Sequence, residues 1–274
     1  MDPFLLLDDF HSARPDEYLP GFPWHPHRGI ETITYVMRGR VEHGDSLGNS
    51  GVIHPGDVQW MTAGSGIIHQ EMPKGDKDDQ LWGFQLWANL PADNKMMDPE
   101  YHGLTSDEIP EATLYMGVRV KVICGVVNGV RGPVKGIVTD PTYLDVTIPP
   151  RSSFSYPTTH AYQLLAYVID GDGAFDEKKD PYAFEAVGRN YFDLERSSQI
   201  GPEHLVVYHR EGDGIRVTAG DQGVRFLLFS GRPIGEPVAW YGPIVMNTQE
   251  ELRVAFEEYR NGTFVKDHSH RQNR

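Results

Sequence analysis

Three histidines and two glutamates near the N-terminus carry the clearest chemical signal in the sequence. His25 and His27 are two residues apart, and so are His69 and Glu71. On an extended strand such residues leave the same face, so each pair can present both side chains to one ion. Glu31 lies four residues after His27 and adds a second carboxylate. The spacing predicts one metal site built by two facing strands.

The donor set indicates which ions suit such a site. Neutral imidazoles with one carboxylate suit Fe(II), and also Mn, Ni, Cu or Zn. Four protein ligands leave one or two positions open for water, dioxygen or a chelating substrate. A cysteine-type zinc site is excluded because the chain has one cysteine, Cys124, whose apolar surroundings predict a small buried residue.

The other histidines show no comparable spacing. His43 and His54 flank a glycine-rich hairpin, and we interpret them as exposed or capping residues. His160, His204 and His209 are scattered without a partner two residues away. A surface or hydrogen-bonded structural role is the ordinary state of an isolated histidine.

The segments that must position these residues have the pattern of short strands. Residues 31–41 are rich in β-branched and aromatic residues and predict a strand that closes at Gly39, and residues 81–88 predict another. Further strands are predicted at 118–127, 143–148, 163–169, 185–187, 205–208 and 224–229. Residues 1–24 are interpreted as a lead-in segment with turns, and 91–112 as a connection. Frequent turns between short strands favour antiparallel barrels or sandwiches.

One helix is predicted near the C-terminus. Thr248 and Glu251 form a capping-box pattern, and Asn261-Gly262 ends the helix. Apolar residues recur between them at helical spacing: Leu252, Ala255, Phe256 and Tyr259. We expect a helix over about 248–260, followed by a polar tail from Lys266.

Composition and charge restrict the classes of function. The net charge of -14 argues against direct binding to nucleic acid, which requires basic residues against phosphates. No window reaches 18 uninterrupted apolar residues, so no membrane span is predicted. The N-terminus lacks a basic region followed by an apolar stretch, and one cysteine allows no internal disulfide. We therefore expect a cytoplasmic protein, and we expect it to be a monomer.

Longer motifs connect the chain to a known family. Two stretches resemble the two cupin motifs: Gly21…His25-x-His27-x3-Glu31…Gly39 and Gly56…Gly66-x2-His69. More narrowly, residues 25–29, 56–64 and 69–73 are similar to the pirin family, and so are residues 8–11 and 242–248. The similarity spans nearly the whole chain.

The resemblance implies an all-β bicupin, with two antiparallel, jelly-roll-like β-barrels and a short C-terminal helix. The expected domains are a metal-binding barrel at 1–105, a linker at 106–117, and a second barrel at 118–274 that ends in the helix. Where the second barrel would repeat His-x-His the chain has His160-Ala161-Tyr162, and residues 212–218 offer no later histidine. We expect the second barrel to hold no metal.

Carried over position by position, the resemblance makes His25, His27 and His69 metal ligands and Glu71 the carboxylate ligand. Cupins in general use the position of Glu31 instead. The alternation of side chains along the strands allows either glutamate to be the ligand. The pirin pattern favours Glu71, which leaves Glu31 to orient a ligand or accept a hydrogen bond. The expected cofactor is one divalent ion, with Fe(II) as first choice and Mn, Ni, Cu or Zn as alternatives.

The chain looks similar to pirin-type quercetin 2,3-dioxygenases, which implies a small flavonol-like aromatic substrate and dioxygen. Glu71 or Glu31 would assist removal of a substrate proton. Four residues beside the motifs are either pocket walls or core: Phe22, Trp24, Trp60 and Met61. One alternative is a non-enzymatic, iron-dependent regulator that binds a transcription factor or a metabolic enzyme. A weaker alternative is a storage or structural bicupin with a vestigial site.

Overall fold

The computed structural model describes residues 1–182, 184–188 and 197–266. The described chain forms two compact units. The first contains Asp2–Glu108 together with the described residues from Ile234 onward, and the second contains Ile109–Pro233. Both units are built mainly of antiparallel strands, so the predicted all-β class is confirmed.

The first unit packs two sheets against each other around a cavity. Its strands are β1 (Phe4–Ser12), β2 (Phe22–His27), β3 (Ile30–Arg38), β4 (Arg40–Asp45), β5 (Ser50–Ile53), β6 (Val58–Thr62), β7 (Ile67–Lys74), β8 (Leu81–Asn89) and β9 (Glu100–Leu104). Five form one sheet in the order β1-β8-β3-β6-β9, and four form the other in the order β2-β7-β4-β5. A short helix α1 (Pro15–Tyr18) joins β1 to β2, and a 3₁₀ turn (Ala92–Asn94) follows β8.

Burial patterns explain how the sequence selects these strands. Residues 30–36 of β3 are all buried, because β3 lies between β8 and β6 with side chains covered on both faces. Strand β7 instead alternates, with Ile67, His69, Glu71 and Pro73 buried and their neighbours half-buried. Alternation of this kind places one face of a strand inside a barrel. His69 and Glu71 therefore both belong to the inner face.

The second unit is a larger sheet around its own core. Its strands are β10 (Glu111–Thr113), β11 (Arg119–Cys124), β12 (Val126–Val127), β13 (Val130–Arg131), β14 (Thr142–Ile148), β15 (Ser153–Pro157), β16 (Gln163–Ala174), β17 (Leu205–Val207) and β18 (Gly214–Gly231). The main order is β10-β11-β14-β18-β16-β17, β15 pairs with β18, and β12 pairs with β13. Short 3₁₀ turns lie at Ser106–Glu108, at the end of the first unit, and at Tyr115–Gly117. Val122, Val146, Val168 and Phe226 are among its core residues. Cys124 is buried, as predicted.

The C-terminal segment contains a hairpin and the predicted helix. The hairpin strands are β19 (Ala239–Tyr241) and β20 (Ile244–Met246), and the helix α2 is Gln249–Arg260. Both halves of the capping box form, since the Thr248 hydroxyl accepts a hydrogen bond from the backbone of Glu251 and the Glu251 carboxylate accepts one from the backbone of Thr248. The helix buries Leu252 and Ala255 against the hairpin. None of the described helices has the length and apolarity that crossing a membrane requires.

Several segments differ from their sequence predictions. Residues 1–24 contain β1 and the start of β2, because the apolar run from Phe4 covers the edge of β8. Residues 91–112 contain β9, which pairs with β6. Residues 185–187 form no strand, and Val187 is exposed. The segment from Ile234, assigned from sequence to the C-terminal barrel, groups with the first unit through the hairpin. The predicted polar tail lies almost wholly outside the described residues.

Candidate metal centre

The three predicted histidines converge inside the first unit. Strand β2 pairs with β7 so that His25 lies opposite His69, and His27 lies opposite Ile67. The ring centroids of His25 and His69 are 4.3 Å apart, and each is 4.9 Å from the ring of His27. One ring nitrogen from each histidine lies within 4.8 Å of the other two. The register of two strands thus brings residues from distant parts of the sequence to one point.

Backbone carbonyls set which nitrogens face that point. His25 Nδ1 lies 2.8 Å from the Pro23 carbonyl oxygen, and His27 Nδ1 lies 3.0 Å from that of Pro243. A carbonyl only accepts, so this network assigns the protons to both Nδ1 atoms and leaves a lone pair on each Nε2. These two Nε2 atoms are 3.1 Å apart. His69 Nε2 is buried and has no hydrogen-bond partner among the described residues.

This arrangement fits a divalent ion. Two imidazole nitrogens bound to one ion at about 2.1 Å and at right angles would be about 3 Å apart. Burial lowers the pKa of His27, and the neighbouring His69 and His25 lower it further against the opposing Pro243 hydrogen bond. Burial, His25 and His43 lower the pKa of His69 to about 3. Both rings are therefore neutral at physiological pH, which is the state that binds metal.

Glu71 lies beside the triad in the same cavity. The Thr34 hydroxyl donates to Glu71 Oε1 at 3.1 Å, and Gln85 Nε2 lies 3.0 Å from Oε2. Trp87 fixes the orientation of that amide, because its indole nitrogen donates to Gln85 Oε1 at 2.8 Å. The Glu71 carboxylate is not in the group of atoms that lie within 4.8 Å of one another. The Glu71 carboxylate is thus held by hydrogen bonds in the cavity beside the three histidines.

The structure does not bring Glu31 to the triad. Glu31 and Thr34 are three residues apart on β3, so Glu31 faces the side of the sheet opposite to the cavity. Its Oε1 accepts a hydrogen bond from Thr62 at 3.0 Å, and its Oε2 is buried without a partner among the described residues. Burial raises its pKa to about 7 against the opposing effects of Thr62 and Trp60. The alternation of inward and outward side chains could not be counted from His27 to Glu31, because the chain turns at Gly29 and enters the other sheet.

His43 is a site neighbour that the sequence interpretation missed. The prediction that it is exposed is wrong, whereas His54 is exposed as expected. His43 lies opposite Glu71 in the β4–β7 register, and its ring stacks on Tyr101 with centroids 5.0 Å apart. Its Nε2 lies 2.6 Å from the Tyr101 hydroxyl oxygen. The alternation His43-x-Asp45 on one strand was the available signal, since it matches the pattern of the other inward-facing pairs.

The cavity has a volume of about 490 Å³ and opens beside the triad. This size is within the range of small-molecule sites. Its walls are largely apolar, and they include Leu6, Phe10, Phe22, Val41, Leu81 and Trp87. Among the residues proposed as walls, Trp60 and Met61 are buried core residues, while Trp24 is exposed. The cavity therefore offers an apolar space next to three imidazoles and one carboxylate.

The β19–β20 hairpin contributes to this site from the far end of the chain. The residue at its turn, Pro243, supplies the carbonyl that binds His27. The ring of Trp240 lies 6.0 Å from that of Trp87, whose ring in turn contacts His27 with centroids 5.1 Å apart. The hairpin thus completes the surroundings of one ligand.

Arg28 connects the same region to helix α2. It is 2% exposed and donates to the Ser65 carbonyl at 2.7 Å, the Glu258 carboxylate at 2.7 Å and the Phe264 carbonyl at 3.0 Å. Its guanidinium also lies 4.3 Å from the centre of the Phe264 ring. The residue next to His27 is therefore held by the loop before β7 and by the C-terminal segment.

Lys95 makes a second buried connection. Its ammonium donates to the Gly29 carbonyl at 2.9 Å, the Asn89 side chain at 2.7 Å and the Val245 carbonyl at 3.1 Å. A Cβ on Gly29 would come within 2.0 Å of the Val245 carbonyl oxygen, so this close approach requires glycine. Burial lowers the pKa of Lys95 to about 8, against Glu236 and Glu251. The turn after His27 is thereby fixed to β20.

Comparisons with known proteins agree with the fold. The Pirin family model matches residues 1–88, which include every candidate ligand, and the model of the Pirin C-terminal cupin domain matches residues 143–265. A pirin-like protein from Caulobacter vibrioides is 42% identical over 264 residues, covering 96% of this chain and 87% of that protein. Pirin-1 from Arabidopsis thaliana is 41% identical over 264 residues, covering 95% of this chain and 83% of that protein.

The solved structures include a quercetin 2,3-dioxygenase from Acinetobacter baumannii. It has a TM-score of 0.79 and 28% identity, covering 96% of this chain and 86% of that chain. With the cupin-domain match, this similarity confirms the predicted bicupin architecture. The expectation that the second barrel holds no metal stays a prediction.

Proposed function

This chain belongs to the pirin family, and on that premise we propose that it is a metal-dependent dioxygenase that opens flavonols such as quercetin. The observation that carries the proposal is the convergence of three imidazoles beside Glu71 in a cavity of small-molecule size. The similarity to a solved quercetin 2,3-dioxygenase supports the choice of reaction. A cytoplasmic location and a monomeric state are part of the same proposal.

The proposed ligands are His25, His27, His69 and Glu71. Each of the three histidines directs one ring nitrogen to a common point, and Glu71 is the carboxylate in the same cavity. Fe(II) is the proposed ion, with Mn, Ni, Cu and Zn as alternatives that the same donors accept. When bound, the ion supplies Lewis-acid polarisation of substrate oxygens and one-electron chemistry.

The chain's own groups then bind the substrate and accept its proton. The Glu71 carboxylate accepts the proton of the flavonol hydroxyl that lies beside the ring carbonyl. Thr34 and Gln85 hold this carboxylate in place through their hydrogen bonds. The apolar walls, Trp87 and Phe22 among them, orient the planar rings and exclude water from the reacting end.

The proposal is tested by oxygen consumption. Protein loaded with Fe(II) under argon is mixed with quercetin and then with oxygen, and oxygen uptake is followed together with the loss of flavonol absorbance. We expect turnover in the native chain and none in a His69→Ala variant that is equally folded by circular dichroism. Equal rates in both proteins would refute the dioxygenase proposal.

The alternative of a metal-dependent regulator predicts a different result in the same experiment. A native chain that retains one ion per molecule but consumes no oxygen with quercetin would support it. Its acidic surface, with a net charge of -14, suits a protein partner better than a nucleic acid.

A further inference from the structure

Asp8 faces the cavity beside Glu71, and the proposed reaction gives it no role. It lies on β1 opposite Gln85 of β8, and both residues line the cavity with Glu71. Its side chain is exposed to the cavity, and it accepts no side-chain hydrogen bond from any described residue. Burial, Asp9 and Glu71 raise the pKa of Asp8, in that order of size.

The adjacent Asp9 shows how the two positions differ. Asp9 also borders the cavity, but its carboxylate has protein partners. The indole of Trp82 donates to Asp9 Oδ1 at 3.0 Å, and His11 Nδ1 lies 3.0 Å from the same oxygen. Asp9 is thus a satisfied structural carboxylate, whereas Asp8 presents free acceptor oxygens to the cavity.

Several polar groups that line the cavity with Asp8 are already engaged. The amide nitrogen of Gln85 donates to Glu71 and Thr34, so its N–H donors are engaged. At the mouth, the Tyr18 hydroxyl donates to the Asp79 carbonyl at 3.2 Å, and the Ser12 hydroxyl donates to Glu17. A hydrogen-bond donor for Asp8 must therefore come from water or from a ligand.

The charges of the lining favour an uncharged ligand. Among the described residues that line this cavity there is no Lys or Arg, while Asp8, Asp9, Glu17 and Glu71 all contribute carboxylates. An anionic group placed at the Asp8 end would meet like charges without a compensating cation. A phenolic hydroxyl would instead donate to a carboxylate, which gives one of the stronger classes of hydrogen bond.

We infer that Asp8 determines specificity by accepting a hydrogen bond from a phenolic hydroxyl remote from the chelating oxygens of the substrate. The substrate class is then a neutral, polyhydroxylated planar aromatic. This inference rests on the proposed flavonol site and adds to it the recognition of the end that does not react. Sites built around a substrate hydroxyl discriminate strongly against analogues that lack it.

The test measures binding without turnover. Fe(II)-loaded protein at pH 8 under argon is titrated calorimetrically with quercetin and with two analogues that keep its chelating oxygens. One analogue, 3,5,7-trihydroxyflavone, lacks the hydroxyls of the pendant ring, and the other, 3,3′,4′-trihydroxyflavone, lacks those of the fused ring. In the native chain we expect one of the two to bind about tenfold more weakly than quercetin or worse.

Asp8→Leu keeps the branched shape and removes the acceptor. We therefore expect the weaker analogue to lose its affinity penalty relative to quercetin in this variant. Asp8→Asn should reduce the same penalty. Asp9→Asn is the matched control and should retain the full penalty. Penalties that survive in Asp8→Leu, with quercetin still bound, would overturn the role of Asp8 and leave the flavonol site standing. A native chain that binds none of the three compounds would refute the flavonol site and this inference together.

Discussion

At the scale of single residues, two backbone carbonyls decide how the triad can act. Pro23 and Pro243 hold the Nδ1 protons of His25 and His27, so both Nε2 lone pairs meet inside the cavity. Lone pairs at 3.1 Å repel each other unless a cation or a proton lies between them. The two nitrogens are therefore positioned to bind an ion together.

The carboxylate assignment predicts unequal effects of two glutamates. Glu71→Gln should weaken metal binding about 10- to 100-fold, because it removes a ligand or the charge beside the imidazoles. Glu31→Gln should leave the affinity unchanged, since Glu31 lies on the other face of the sheet. Competition with a chromophoric chelator measures both affinities. Release of the ion by Glu31→Gln and not by Glu71→Gln would make our carboxylate assignment wrong.

Glu31 should instead control the pH dependence of stability. Its pKa is about 7 in the folded state and about 4.5 in the unfolded state, so the folded state binds more protons between these values. Raising the pH through this window therefore lowers the free energy of unfolding, by about 3 kcal/mol at most. The loss is complete above about pH 8, where Glu31 is deprotonated in the folded state as well.

Glu31→Gln removes this titration. Urea unfolding of metal-free protein at pH 4.5, 6 and 8 should show the variant gaining stability relative to the native chain as the pH rises. Glu111→Gln, a change of an exposed glutamate, should follow the native chain at each pH. A constant difference between Glu31→Gln and the native chain across the series would contradict a buried, titrating Glu31.

At the scale of elements, the pairing of β2 with β7 could be predicted from the sequence. The segments that pack around these two strands could not. The spacing of His25 with His27 and of His69 with Glu71 predicted two strands with inward-facing pairs, and the β2–β7 register joins them. The alternation of side chains along a strand does not continue across the turn at Gly29, so it could not show which face Glu31 occupies. Local periodicity also carries no information on which distant segment packs against a strand, and the contribution of Pro243 to His27 was therefore invisible.

Helix α2 should stabilise the turn that follows His27 through one specific glutamate. Glu258→Gln leaves the buried Arg28 without its carboxylate partner, and we expect a loss of about 2 kcal/mol in the free energy of unfolding. Its neighbour Glu257 pairs with Arg253 on the exposed side of the helix, so Glu257→Gln should cost much less. Urea unfolding of the two variants provides the comparison. Equal losses would show that the Arg28 contact does not hold the helix to the site.

At the scale of the whole molecule, the metal site draws on both ends of the sequence. Its candidate ligands lie between His25 and Glu71, yet Pro243, Val245 and Glu258 fix the residues around them. A ligand that binds only the folded state stabilises every segment whose contacts its site requires. Metal binding should therefore protect the β19–β20 hairpin even though it contributes no ligand side chain.

Hydrogen exchange followed by mass spectrometry can measure this coupling. On addition of Fe(II) under argon, we expect slower exchange in peptides covering β2, β7 and residues 243–246, because the Val245 amide donates to the Arg28 carbonyl at 3.1 Å. Strands β14, β16 and β18 belong to the other unit and should change much less. His69→Ala should abolish the effect at every position, which separates binding at the triad from adventitious metal. Protection confined to residues 22–74 would mean that the hairpin contacts do not respond to the ion, and the C-terminal segment would then be a passive cover of the site.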